Sequence, residues 1–113
     1  MKSRISSLSK SEDFKNLLNG KRISNPYSTI FFKKISSKSN KLLNVSFVAK
    51  KKIGNAVKRN KIKRRLRNIM NDAIKTININ LSYSYLFIAK KNIYDANYKM
   101  LKDSILKDLT KVR

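Results

Sequence analysis

Residues 51–74 read KKIGNAVKRNKIKRRLRNIMNDAI, and in this stretch an apolar stripe shares one helical period with a dense set of cations. Apolar residues three and four positions apart are typical of an α-helix with one buried face. The stripe consists of Ile62, Leu66, Ile69, Met70, Ala73 and Ile74. Asn55 stands just before it, and an asparagine there can accept hydrogen bonds from the free amides of a helix start. We therefore predict a helix from Asn55 to about Ile77.

Strand patterns lie on both sides of this helix. Tyr27–Ile35 and Leu42–Lys50 precede it and Tyr83–Ala89 follows it, and all three runs are rich in β-branched and aromatic residues. In the second run Leu43, Val45, Phe47 and Ala49 alternate with Asn44, Ser46 and the apolar Val48. The polar link at 36–41 favours an antiparallel hairpin between the first two runs.

Two further helices complete the predicted order. Ser9 and Glu12 have the spacing of a capping box, which predicts a short helix over about 10–19. Helical spacing recurs near the C-terminus at Tyr98, Leu101, Ile105, Leu109 and Val112. The order helix-strand-strand-helix-strand-helix predicts an α+β fold, a compact two-layer α/β sandwich. We expect one RNA-binding domain over 1–113, with 1–8 as a flexible basic arm.

The charge of the chain is strongly unbalanced. It has 28 Lys and Arg against 6 Asp and Glu, a formal net charge of +22, and no acidic residue between Asp13 and Asp72. Like charges three or four positions apart on a helix repel each other, and bound phosphates would offset that repulsion. We therefore predict a nucleic-acid partner. A solvated helix face is the ordinary alternative for a basic run.

Composition also excludes several kinds of function. The chain has no His and no Cys, so zinc fingers, disulfides and imidazole catalysis are excluded. With 6 scattered carboxylates we expect no catalytic residue and no metal site in the protein itself. No apolar run approaches the roughly 20 residues that span a bilayer, and no secretory leader is evident. We expect a soluble cytoplasmic protein without a membrane partner.

Uncharged residues make the basic segment more specific. Gly54 and Asn55 suit close approach of a phosphate backbone and helix capping, and simple turn chemistry explains them equally well. Asn60 lies within the predicted helix, where a residue of higher helix propensity would be expected at a surface position that binds nothing. With these residues in place, 51–67 resembles the signature of the bacterial ribonuclease P protein subunit. The resemblance rests on Lys51, Lys52, Gly54, Asn55, Ala56, Val57, Arg59, Asn60, Lys63, Arg64 and Arg67.

The resemblance extends over essentially the whole chain, through SEDF in the first helix and FIAKK after the signature. It implies a protein subunit that assembles with ribonuclease P RNA and helps remove the 5′ leader of precursor tRNA. The RNA performs the chemistry, and the holoenzyme requires Mg²⁺. The resemblance implies no DNA partner. It also implies a small mixed sheet with a left-handed β-α-β crossover, against the general right-handed preference.

Site residues follow from the same resemblance. It assigns catalytic-RNA binding to Lys51, Lys52, Asn55, Arg59, Asn60, Lys63, Arg64 and Arg67. It places Phe14, Leu18 and Phe31 in a cleft for the precursor-tRNA leader, where aromatic rings stack on single-stranded RNA. Core packing is the alternative for all three, and we favour it for Leu18 and the cleft for Phe14. Phe32 is expected to point into the core.

The chain departs from the family pattern at four positions. Ser46 replaces a common Gly, Asn44 and Lys90 replace common Arg residues, and Lys50 replaces a common Ser. These changes affect the expected floor of the cleft and its leader preference.

Two other classes of protein compete with this hypothesis. A ribosomal or histone-like binder explains the charge and leaves the Gly-Asn-Ala-Val and Arg-Asn arrangement unexplained. A membrane-surface or antimicrobial protein disagrees with the strand-rich middle of the chain.

Overall fold

The computed structural model describes residues 5–7, 11–34, 42–77 and 79–112. These residues form five strands and three helices in the order β1-α1-β2-β3-β4-α2-β5-α3. The strands are β1 (Ile5–Ser7), β2 (Lys21–Ser24), β3 (Ser28–Lys34), β4 (Leu43–Val48) and β5 (Tyr83–Ala89). The helices are α1 (Ser11–Leu18), α2 (Ala56–Thr76) and α3 (Tyr98–Leu109). Single 3₁₀ turns at Lys51–Ile53 and Lys91–Ile93 precede α2 and α3.

The sheet is mixed, and its strand order is β1-β4-β5-β3-β2. β4 and β5 are parallel neighbours, and Val45 pairs with Tyr85. Because α2 joins them, β4-α2-β5 is a β-α-β crossover, as the resemblance implies. β3 runs antiparallel to both β5 and β2. The predicted α+β class and mixed sheet are confirmed, and the left-handed sense of the crossover stays a prediction.

The expected hairpin between Tyr27–Ile35 and Leu42–Lys50, the runs that contain β3 and β4, is wrong. β5 lies between β3 and β4, and Phe31 of β3 pairs with Leu86 of β5. β5 buries four consecutive residues, Ser84–Phe87. Such a strand has both faces covered, so it takes the centre of the sheet and keeps the other two strands apart.

Helices cover the two faces of the sheet unequally. One face, with Val45, Phe47, Tyr85 and Phe87, packs against α2 and α3 in the main core. The predicted stripe of α2 faces this core, and its last member, Ile74, is half-buried. On the opposite face α1 inserts Leu17 against Leu86 and leaves part of that face open. The two-layer core is therefore confirmed, with α1 as a smaller third element.

Both edge strands lie outside the sequence-based expectations. Ile5–Ser7, placed in the flexible arm, pairs in parallel with β4, and Ile5 is buried. The other residues of the arm, the Ser9 half of the capping box and the link at 36–41 lie outside the described residues. β2 has the polar sequence KRIS, which carries no strand signal. At Gly20, where a Cβ would lie 2.6 Å from the Phe32 carbonyl oxygen, the chain passes close to β3, and β2 then pairs with β3.

A buried polar network joins the β2–β3 turn to α3. The Asn25 side chain donates to Asp108 Oδ2 at 2.9 Å and accepts from the amides of Tyr27 and Ser28, each at 2.8 Å. The network holds the β2–β3 turn against the C-terminal helix α3. No helix in the described part of the chain has both the length and the apolar character to cross a membrane.

Candidate RNA interface

The start of α2 is built by its own side chains. Asn55 Oδ1 accepts a hydrogen bond from the Lys58 amide at 2.9 Å, which confirms the predicted cap. A Cβ added at Gly54 would lie 2.5 Å from Lys58 Cδ, so Gly54 leaves room for that side chain. In the 3₁₀ turn before α2, Ile53 is buried in the main core, while Lys51 and Lys52 are exposed.

The cations of α2 divide between its two flanks. On the flank that faces the segment before α3, Arg65 donates to the carbonyl oxygens of Tyr94 and Ala96 at 3.1 and 2.9 Å. The ammonium groups of Lys58 and Lys61 lie 4.3 and 5.5 Å from the centre of the Tyr94 ring. These contacts assign this flank to the packing of α2 on the rest of the protein.

The other flank carries the signature cations. Arg59, Lys63 and Arg67 are four residues apart and so lie on one side of α2. The Arg67 guanidinium lies 5.8 Å from the centre of the Phe47 ring, which places this flank above β4. Asn60 and Arg64 are exposed on the adjoining outer surface. The structure thus brings these five predicted RNA-binding residues onto one side of the helix.

This surface is electrostatically uncompensated. Among the described residues, Asp72 and Asp108 form ion pairs with Lys102 and Lys111, and no ion pair involves a signature cation. The buried Nε of Arg59 likewise has no hydrogen-bond acceptor within the described residues. A surface of this kind attracts a polyanion from solution, with a strong dependence on salt.

A second candidate surface is the open part of the sheet. The register places Phe31, Leu86 and Ser46 in one row, and Thr29, Ile88 and Val48 in the next. Phe31, Val48 and Ile88 are half-buried and pack around Leu86. Val48 and the β5 pair Leu86 and Ile88 were not predicted for this site. For Val48 the signal was an apolar residue on the face of β4 that otherwise carries Asn44 and Ser46.

Helix α1 forms one wall of this open face. Phe14 is half-buried and packs against the same cluster as Phe31, so the structure brings these two predicted cleft residues together. Leu18 lies one turn beyond Phe14 with 49% of its surface exposed, so the favoured core role for Leu18 is wrong. Leu17 takes that core position because it, and not Leu18, points towards the sheet. Phe32 lies in the main core, as predicted.

The four departures from the family pattern have different environments. Lys90 Nζ donates to Ser24 Oγ at 2.6 Å and to the Asn25 carbonyl oxygen at 2.7 Å, so this lysine braces the β2–β3 turn. Asn44 is buried, and its amide donates to the Leu42 carbonyl oxygen at 3.4 Å. Ser46 is half-buried in the floor, and Lys50 is exposed beside the 3₁₀ turn.

Metal-ligating groups do not cluster in the described parts of the chain: no three His, Cys, Asp or Glu side chains there are placed to hold an ion. The candidate interface thus has two parts, a basic flank of α2 on one side of the sheet and an apolar surface on the opposite face.

The sequence of the chain matches a known protein family. A family model described as Ribonuclease P matches residues 2–113. The chain belongs to the ribonuclease P protein family. A ribonuclease P protein component from Fusobacterium nucleatum is 37% identical to it over 113 residues, which cover 96% of this chain and 94% of the relative. One from Caldanaerobacter subterraneus is 30% identical over 114 residues, covering 98% and 92%.

Solved structures agree with the fold of this ribonuclease P protein. The ribonuclease P protein from Thermotoga maritima superposes with a TM-score of 0.79 at 23% identity, covering 96% of this chain and 98% of that one. The Staphylococcus aureus protein superposes with a TM-score of 0.77 at 23% identity, covering 94% and 93%. The family match confirms the resemblance of the signature at the level of the family, and the chain is a protein component of an endoribonuclease.

Proposed function

We propose that this ribonuclease P protein binds the catalytic RNA of ribonuclease P through the signature flank of α2. In the complex it holds the 5′ leader of precursor tRNA over the open sheet face. The RNA, with Mg²⁺, hydrolyses the phosphodiester bond that releases the leader. The protein supplies no catalytic residue, and its place of action is the cytoplasm.

One observation carries the proposal: five signature residues share one side of α2, and no described acidic residue forms an ion pair with them there. Non-specific attraction of a polyanion does not require the cations to lie on a particular side of the helix. Here the cations of the opposite flank are engaged by Tyr94 and Ala96, and the family signature occupies the free side.

The sheet face supports the second half of the proposal. Phe14 and Phe31 offer partly exposed rings beside apolar Val48 and Ile88. Stacking of bases on such rings is tolerant of sequence and is worth about 1–3 kcal/mol per base. A surface of this kind suits a single strand whose sequence varies between substrates.

A reconstitution assay tests the function. Precursor tRNA is incubated with a bacterial ribonuclease P RNA at low Mg²⁺, with and without the protein, and 5′ cleavage is measured. We expect stimulation by the wild-type protein and a weaker response from a folded Arg64→Ala, Arg67→Ala double variant. That variant is also expected to bind the RNA with a shallower salt dependence. Wild-type protein that is folded and does not stimulate cleavage would refute the proposal.

The Phe14→Ala variant tests the leader site separately. Losing one stacking ring is expected to weaken the binding of precursor tRNA by about 1–3 kcal/mol and to leave the binding of mature tRNA nearly unchanged. Affinity for both RNAs is measured with the reconstituted complex. An equal loss for the two RNAs would assign Phe14 to the core.

A further inference from the structure

Arg22 extends the open sheet face beyond the cleft residues identified above. In the β2–β3 register Arg22 is paired directly with Phe31. Paired residues on neighbouring strands project to the same face of a sheet. Arg22 therefore stands at the β2 end of the row that continues through Phe31 and Leu86 to Ser46.

The row has a defined length and charge pattern. It crosses four strands, and at about 4.8 Å between neighbouring strands it spans about 14 Å. The three residues of the row other than Arg22 are Phe31, Leu86 and Ser46, and they carry no charge. Arg22 therefore supplies the charge at the β2 end of an uncharged floor.

Arg22 is available to a ligand. It is exposed, and its side chain takes part in no hydrogen bond or ion pair with the described residues. Lys33, two residues along β3 from Phe31, is exposed on the same face and adds to the positive potential there. A guanidinium so placed suits a phosphate oxygen of a strand that leaves the floor at this edge.

We propose that Arg22 binds a backbone phosphate of the precursor-tRNA leader where the leader crosses the β2 edge. The affinity of the complex then depends on leader length, because a leader too short to cross the floor does not reach Arg22. This inference rests on the proposed function. It assigns Arg22 as a residue that discriminates long leaders from short ones.

Lys21 provides a matched control for Arg22. It is exposed on the same strand, and its pairing with Phe32 places it on the opposite face. Arg22→Ala and Lys21→Ala therefore remove the same charge from adjacent positions on opposite sides of β2. The experiment measures binding of each variant, reconstituted with ribonuclease P RNA, to precursors whose leaders lengthen by single nucleotides.

Arg22→Ala is expected to bind the longest leaders about two- to fivefold more weakly than wild type, as for one exposed ion pair. Short leaders and mature tRNA are expected to bind as before. For long leaders the slope of log affinity against log salt should be shallower by about 0.7, the value for one single-strand phosphate contact. Arg22→Lys should restore part of the loss, and Lys21→Ala should show no dependence on leader length.

Equal losses for Arg22→Ala and Lys21→Ala at every leader length would overturn the inference, because a general effect of charge would then suffice. An Arg22→Ala variant that matches wild type on long leaders would overturn it as well. Failure of the proposed function has a different signature, since wild-type protein would then not stimulate cleavage of any precursor.

Discussion

Arg64 and Arg65 are adjacent in the chain and lie in different environments. Arg64 is exposed on the signature side of α2, and Arg65 is half-buried and donates to two backbone carbonyl groups before α3. A helix turns by about 100° per residue, so neighbours in a basic run face different surroundings. At the scale of the residue, position on the helix separates an RNA ligand from a structural contact.

This difference predicts opposite effects for two similar changes. Arg65→Ala is expected to lower the free energy of unfolding by about 1–3 kcal/mol, because two carbonyl groups lose a charged donor. Arg64→Ala is expected to change the free energy of unfolding by less than about 0.5 kcal/mol and to weaken RNA binding. Urea denaturation and RNA titration of both variants check this, and equal destabilisation would contradict it.

Tyr85 predicts a dependence of stability on pH. Burial, with a smaller contribution from the nearby Tyr83 phenol, raises the pKa of Tyr85 well above its usual range, and its hydroxyl donates to the Asn80 carbonyl oxygen at 2.7 Å. The native state therefore keeps a proton that the unfolded chain loses near about pH 10. The stability contributed by this group is fully present below that pH and is lost as the pH rises above it.

Tyr85→Phe tests this sign. Because the variant lacks the hydrogen bond, its free energy of unfolding at neutral pH is expected to be lower by about 1 kcal/mol. Above about pH 10 its stability should fall less steeply than that of wild type. Denaturation curves at neutral and alkaline pH measure both effects. Identical slopes for the two proteins would contradict the assignment.

At the scale of the element, α2 combines a structural start with a binding surface. Asn55 caps the helix, and the exposed Asn60 lies one turn further along without a described partner. The same residue type thus serves two purposes within one helix. The cap fixes where the helix begins and hence the direction in which every following cation points.

Asparagine-to-alanine changes at these positions separate the two purposes. Asn55→Ala is expected to lower the free energy of unfolding by about 1 kcal/mol through loss of the cap. Asn60→Ala is expected to leave stability unchanged or slightly raised, because alanine is the better helix former, and to weaken RNA binding. Thermal melts and RNA titrations of the pair provide the measurement; a stability loss in Asn60→Ala as large as in Asn55→Ala would count against this division.

At the scale of the molecule, distant segments meet to form the interface. The open face takes its wall from α1 and its floor from β3, β4 and β5, and the Asn25 network ties the β2–β3 turn to α3. Since Asn25 and Asp108 are 83 residues apart, their bond exists only in the folded chain. It couples the sheet edge that carries Arg22 to the C-terminal helix.

Breaking this network is expected to destabilise the whole fold. Asn25→Ala removes one hydrogen-bond partner of the buried Asp108 side chain and the acceptor of two amides, and a loss of about 2–3 kcal/mol in the free energy of unfolding is expected. Asn92→Ala, at an exposed position, serves as the control and should change little. Urea denaturation followed by circular dichroism compares them. A wild-type midpoint for Asn25→Ala would show that the network contributes no net stability.

The sequence by itself determined the elements and the family. The helical period of residues 51–74, the strand character of β3, β4 and β5, and the signature are properties of residues close together in the chain, so local physics suffices to predict them. The absence of acidic residues between Asp13 and Asp72, in a chain of net charge +22, likewise predicts a polyanion partner before any fold is known.

Tertiary structure alone decided strand pairing and the use of each side chain. β5 enters between β3 and β4, β1 and β2 become edges, and Leu17 rather than Leu18 reaches the sheet. Arg65 is taken into packing while Arg64 stays exposed. These outcomes depend on which distant surfaces bury the most apolar area together, and that free energy belongs to contacts that no local window of sequence contains.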